Sequence, residues 1–180
     1  MDPLRRRRCS IALLGIAISG ALLTACSNSG SPSSSTATVR DRSRGMCTLI
    51  TPAEVGAITG FPVGTPGSVL QGPTTECTFA AANPSHRVLL RYDTSATASS
   101  FATLREAIVP AGNFVTAVSH LGDEAFAYSH TAGRTTTTTV LARQGTVMVM
   151  VTGTAATPSQ LEALAQKALD RAEQAEQKEK

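Results

Sequence analysis

Val147-Met148-Val149-Met150-Val151 is apolar at every position. A run this short cannot make a buried helix, and its β-branched residues mark it as a strand covered on both faces, hence a central one. The run belongs to a hairpin in which Thr136 to Ala142 and Thr146 to Gly153 are joined around Arg143-Gln144-Gly145. A central strand needs neighbours on each side, and further period-two stretches supply them. Glu76 to Ala81 puts Cys77 and Phe79 on one face, and Val88, Leu90 and Tyr92 alternate with Arg87 and Arg91. Asn113 to Ser119 and Ala125 to Ser129 read as shorter strands.

Helical signals punctuate these strands. Thr51-Pro52-Ala53-Glu54 is a capping box with Pro at the first helical position, stapled by Ile50 and Val55 and ended by Gly60. Ala98 to Val109 carries Phe101, Leu104 and Ile108 at helical spacing. Thr157-Pro158-Ser159-Gln160 repeats the cap before a stripe of Leu161, Leu164, Ala168 and Leu169. The order helix, strands, helix, strands, helix with hairpin connections predicts an α+β fold. We expect a mainly antiparallel sheet with helices packed on one face, spanning residues 47–172 and followed by a charged, fraying tail over 173–180. Residues 60–75 read as a Gly/Pro loop holding Gly64, Gly67 and Gly72, and nothing in it matches a phosphate-binding loop.

The N-terminus has a different grammar. Arg5 to Arg8 precede a short apolar run from Ile11 to Leu23, and then comes Leu23-Thr24-Ala25-Cys26. A positive block, an apolar stretch too short to span a bilayer and small residues before a cut describe a secretory signal. Leu-Thr-Ala-Cys resembles the bacterial lipobox. The expectation is a leader over 1–25, cleavage, palmitate-class acylation of Cys26, and residence on the extracytoplasmic face of the cell membrane. Residues 26–46, beginning with the Ser/Gly/Pro/Thr tract Ser27 to Ala37, read as a flexible tether whose hydroxyls would also accept sugars.

Charge and cysteine count follow from that leader. The chain carries 16 Lys+Arg and 13 Asp+Glu; the leader takes Arg5 to Arg8 and Asp2 with it, which leaves 12 of each sign. A neutral mature chain lacks the basic footprint of a nucleic-acid binder, so none is expected as a partner. Of the 4 Cys, Cys9 falls in the leader and Cys26 is the lipid site, leaving Cys47 and Cys77 in an oxidising compartment. A disulfide is the simplest outcome, the alternative being a metal pair or reactive thiol without zinc spacing. Closing such a loop stabilises a fold by ~3 to 4 kcal/mol in the chain-entropy model. This chain needs it, because aromatics are only 4% and Trp is absent, so the core must be aliphatic.

Chemistry is sparse. His86, His120 and His130 each follow a Ser, but neighbouring strand residues point to opposite faces, and there is no G-x-S-x-G elbow. Asp93 and Asp123 are carboxylates that no motif ties to a Ser and a His. His120, Asp123, Glu124 and His130 offer a loose set of metal donors without zincin spacing, against a structural reading in which Gly122-Asp123 turns the chain and Phe126 fills the core. The five threonines Thr135 to Thr139 are a recognition surface or a half-exposed strand. Arg87 and Arg91 share a strand face that would suit an anion or simply solvent.

Cys47 to Val55, Glu76-Cys77-Thr78-Phe79, Leu121 to Phe126, Val140 to Gly145 and the closing helix form an ordered pattern. In that order and spacing the chain resembles actinobacterial lipoproteins of domain-of-unknown-function family 3558, with Phe79 where the family often has Trp. The resemblance implies export, the disulfide and the fold, and carries no activity. The expected function is a non-enzymatic binding or interaction module of the cell envelope, with no cofactor and with an envelope protein, lipid or glycan as partner. One alternative is a metal-assisted envelope enzyme using His120, Asp123 and His130. Others are a lipid or apolar-ligand carrier with a cavity lined by Met148, Met150 and Leu90, and a structural spacer.

Overall fold

Three tight hairpins set the architecture, each turned by a dipeptide that begins with Gly at positive φ: Gly72-Pro73, Gly133-Arg134 and Gly145-Thr146. Gly at the first turn position suits the right-handed twist of paired strands. The computed structural model describes residues 45–109 and 113–178. The expected leader, Cys26 and nearly all of the tether lie outside the described residues.

The elements are α1 (Pro52–Thr59), β1 (Gly67–Gln71), β2 (Thr74–Ala80), β3 (Arg87–Asp93), α2 (Ala98–Ile108), β4 (Val115–Ala117), β5 (Glu124–Ala132), β6 (Thr135–Gln144), β7 (Val147–Thr154) and α3 (Pro158–Lys178). The strands form one antiparallel sheet of 7 in the order β1-β2-β3-β7-β6-β5-β4. Two meanders, β1 to β3 and β4 to β7, thus meet where β7 pairs with β3. The α+β class and the antiparallel sheet are as the sequence predicts, and β7 is the middle strand. Cys47 and Cys77 stand at disulfide distance, Cα to Cα 5.4 Å.

The helices do not share a face. On one side α1 and α3 cover Cys77, Leu90, Tyr92, Val140, Ala142, Val149 and Val151. On the other, Phe101, Leu104 and Ile108 of α2 pack on Phe126, Leu141, Met148 and Met150. The reason lies in β7 itself: a strand apolar on both faces needs cover on both. The Phe101 and Phe126 rings meet edge to face at 5.1 Å.

Two more expectations are corrected. Residues 60–75 are not all loop, because Gly67–Gln71 pairs with β2 as an edge strand. The segment 173–178 is not a frayed tail: α3 continues to Lys178, Ala172 is buried, and Gln144 Nε2 donates to Glu173 at 2.8 Å. Its Ala, Glu and Gln are strong helix formers.

Candidate functional site

Asp123 and Glu124, two of the carboxylates singled out in the sequence, are held in structural contacts. Arg143 of β6 donates to Glu124 Oε1 at 2.6 Å and stands 3.3 Å from Asp123 Oδ2, which also accepts the Gly145 N–H. Together these contacts tie the β4–β5 connection to the β6–β7 turn, while Phe126 is fully buried. His130 lies six residues further along β5 than Glu124, roughly 20 Å at the rise of a strand. His120, Asp123 and His130 are therefore not brought together, and the ligand set of the metal-assisted alternative does not assemble. Among the described residues no group of 3 or more His, Cys, Asp and Glu forms a cation cage. His86 packs against Phe61 at 4.9 Å and contacts Asn83.

The threonine run resolves into a strand. Thr138 and Thr139 are buried, and their hydroxyls pair with Ser129 at 2.9 Å and Thr152 at 3.0 Å. Thr136 pairs with Thr131. Arg87 and Arg91 are exposed on one face of β3, and Arg91 sits beside Glu76 in the register.

The strongest charge cluster joins α1 to α3. Glu54, the capping-box carboxylate of α1, receives Arg171 Nη2 at 2.5 Å and Lys167 Nζ at 3.0 Å, and Arg171 also donates to the Leu49 carbonyl. The Arg171 guanidinium, the Thr51 N–H and Lys167 hold the Glu54 carboxyl far below the usual carboxylate range. Glu54 in turn raises Arg171. Beneath the helices, burial pushes the Tyr92 phenol up, tempered by Arg171, and its hydroxyl has no hydrogen-bond partner among the described residues.

The proposed carrier cavity has no common interior. In the register Leu90 pairs with Val151 and Arg91 with Met150, so Leu90 faces α1 and α3 while Met148 and Met150 face α2. Leu90 is wholly enclosed by its neighbours.

Open space lies instead at the two edges of the sheet. At the β4 edge a groove of about 560 Å³ runs between β4–β5 and the start of α3. Its floor is small, with Thr116, Ala127 and Ser129, one wall carries Pro158 and Glu162, and Phe114 stands at its mouth 91% exposed. At the β1 edge a second groove of about 570 Å³ lies between the chain leading into β1 and the start of α1. Thr65, Pro66 and Ser68 face Cys47, Ile50 and Pro52 across it, and among the described residues no charged side chain lines it.

Sequence reasoning missed both grooves. Phe114 carries no sign of exposure in an alternating stretch, and the β1 groove needs a strand that local pattern does not announce. No protein-family model matches the chain. A search of curated proteins finds no significant relative.

Proposed function

We propose that this chain is a membrane-anchored lipoprotein of the cell envelope, kin to family 3558, whose folded domain docks a partner protein. Acylated Cys26 is the anchor. The Ser/Gly/Pro/Thr composition between Cys26 and the folded domain supports its role as a tether to the membrane. One observation carries the docking reading: Phe114, a large aromatic, stands 91% exposed at the mouth of an open groove while the aliphatic core is filled. Exposed aromatics beside a concave surface are the usual anchors of interfaces. A carrier requires the reverse arrangement, with apolar residues lining an interior.

The test is a photo-crosslinking amino acid at position 114 in the exported, acylated protein, with irradiation of intact cells. A discrete adduct with one envelope protein, lost when a Cys26→Ser chain is released from the membrane, is the expected result. Adducts with lipid alone would overturn docking to a protein.

A further inference from the structure

We infer that the β1 edge and the groove beside it form a binding site for an extended, uncharged peptide segment of a partner, added to the sheet as an eighth strand. The inference rests on the docking reading and names a second surface, on the edge opposite Phe114.

Edge strands in native proteins are blunted by charge, proline, bulges or brevity, because unpaired N–H and C=O groups template further pairing. β1, at 5 residues, lacks the charge, proline and bulge. Gly67-Ser68-Val69-Leu70-Gln71 contains no charge and no proline, since Pro66 and Pro73 lie just outside it. Its register with β2 runs unbroken from Gly67 opposite Thr78 to Gln71 opposite Thr74, so no bulge turns it away. Gly67, Ser68, Val69 and Gln71 are exposed, and Val69, 52% exposed, is at the centre. The other edge is shorter, with only 3 residues in β4.

The groove specifies the occupant. A strand laid on β1 turns alternate side chains to each face of the sheet. On one face they enter the groove between Ser68 and α1. On the other they lie beside Val69, near Glu76 and Arg91. Its described lining is hydroxyls, Pro, Ile and the half-cystine Cys47, which offers a charged side chain entering it no counter-charge among the described residues. Uncharged residues of Val, Thr or Leu size at alternate positions fit. A second copy fits less well. Pairing over the 5 residues of β1 alone falls short of the ~1,200 Å² that stable dimers bury, and it leaves the groove to whatever side chain a symmetric contact presents. A peptide strand uses edge and groove together, as in β-augmentation.

The probe is a mixed library of acetylated, amidated heptapeptides with their five central positions drawn from Ala, Val, Leu, Thr, Ser, Asp and Lys. It is passed over the full chain immobilised in detergent. Retained peptides are expected to be uncharged at alternate positions, to slow amide hydrogen exchange across Gly67–Gln71, and to lose at least tenfold in retention with Ser68→Asp or Val69→Lys. Phe114→Ser should leave retention unchanged. Unaltered circular dichroism and melting confirm that each variant is folded. No enrichment, enrichment of charged alternate positions, or protection at β4 alone overturns the β1 site. The last of these leaves the Phe114 docking surface standing, whereas loss of the Phe114 adduct with β1 binding intact overturns only that surface. A concentration-dependent dimer abolished by Val69→Lys would assign the edge to a second copy and overturn the peptide.

Discussion

Glu54 closes the capping box of α1, with Thr51 N–H to Oε2 at 2.9 Å, and also receives Arg171 and Lys167 from α3. Its folded pKa lies below the value near 4.3 of an unfolded Glu, so its contribution is fully present above that pH and is lost as pH falls toward the folded value. Glu54 and Arg171 are 25% and 36% exposed, so solvent screens the pair and the stake is modest, about 1 kcal/mol. Glu54→Gln should lower urea stability by about that amount at pH 7, and the deficit should shrink between pH 4 and pH 2. A deficit independent of pH would assign the effect to packing. Tyr92 is the opposite case, a buried hydroxyl without a partner among the described residues. Tyr92→Phe should leave stability unchanged or raise it by up to about 1 kcal/mol, and a loss larger than that would reveal a hidden partner. At this scale the capping box was legible because its spacing is local. Arg171 was not, because it reaches Glu54 from 117 residues away.

Elements were legible where their own residues decide the outcome. The apolar stripe of α3 and the doubly apolar β7 stand as the sequence predicts. β1 was not, because its five residues have neither alternation nor burial and are strands only by pairing with β2. The one-face placement of the helices failed for a reason already present in the sequence. Met148 and Met150 needed cover as much as Val149, and the Phe101, Leu104 and Ile108 stripe of α2 was free to give it. The contact of β7 with α3 is close. A Cβ at Gly153 would stand 2.7 Å from Leu161 Cδ2 and 3.2 Å from Ala156 Cβ, and Leu161 is fully buried and cannot swing aside. Gly153→Val should therefore cost about 1 to 3 kcal/mol by overpacking, read as a lowered melting temperature with far-ultraviolet circular dichroism intact below it. An unchanged melting temperature would mean that α3 shifts freely on the sheet.

In the whole molecule, Cys47 and Cys77 tie the segment before α1 to the second strand of a sheet whose core holds few aromatics. Replacing both by Ser should lower stability by about 3 kcal/mol, measured by urea unfolding of the exported protein, and should loosen the wall of the β1 groove to which Cys47 belongs. The candidate surfaces were not readable beforehand because grooves arise between elements distant in sequence: β4 with α3, and β1 with α1. The polar motifs that the sequence offered instead, Asp123 and Glu124 above all, are committed to Arg143 and a turn. We propose a lipid-anchored domain that acts by presenting surfaces to a partner. Its most direct test is the intact mass of the exported protein, recovered from membranes and weighed under native and denaturing conditions. The same mass is expected in both: the chain from Cys26 with its acyl groups, short by the hydrogens of one disulfide. A mass present natively and lost on denaturation would mark a bound ligand and a carrier, and a chain retaining its leader without acyl groups would remove the anchor.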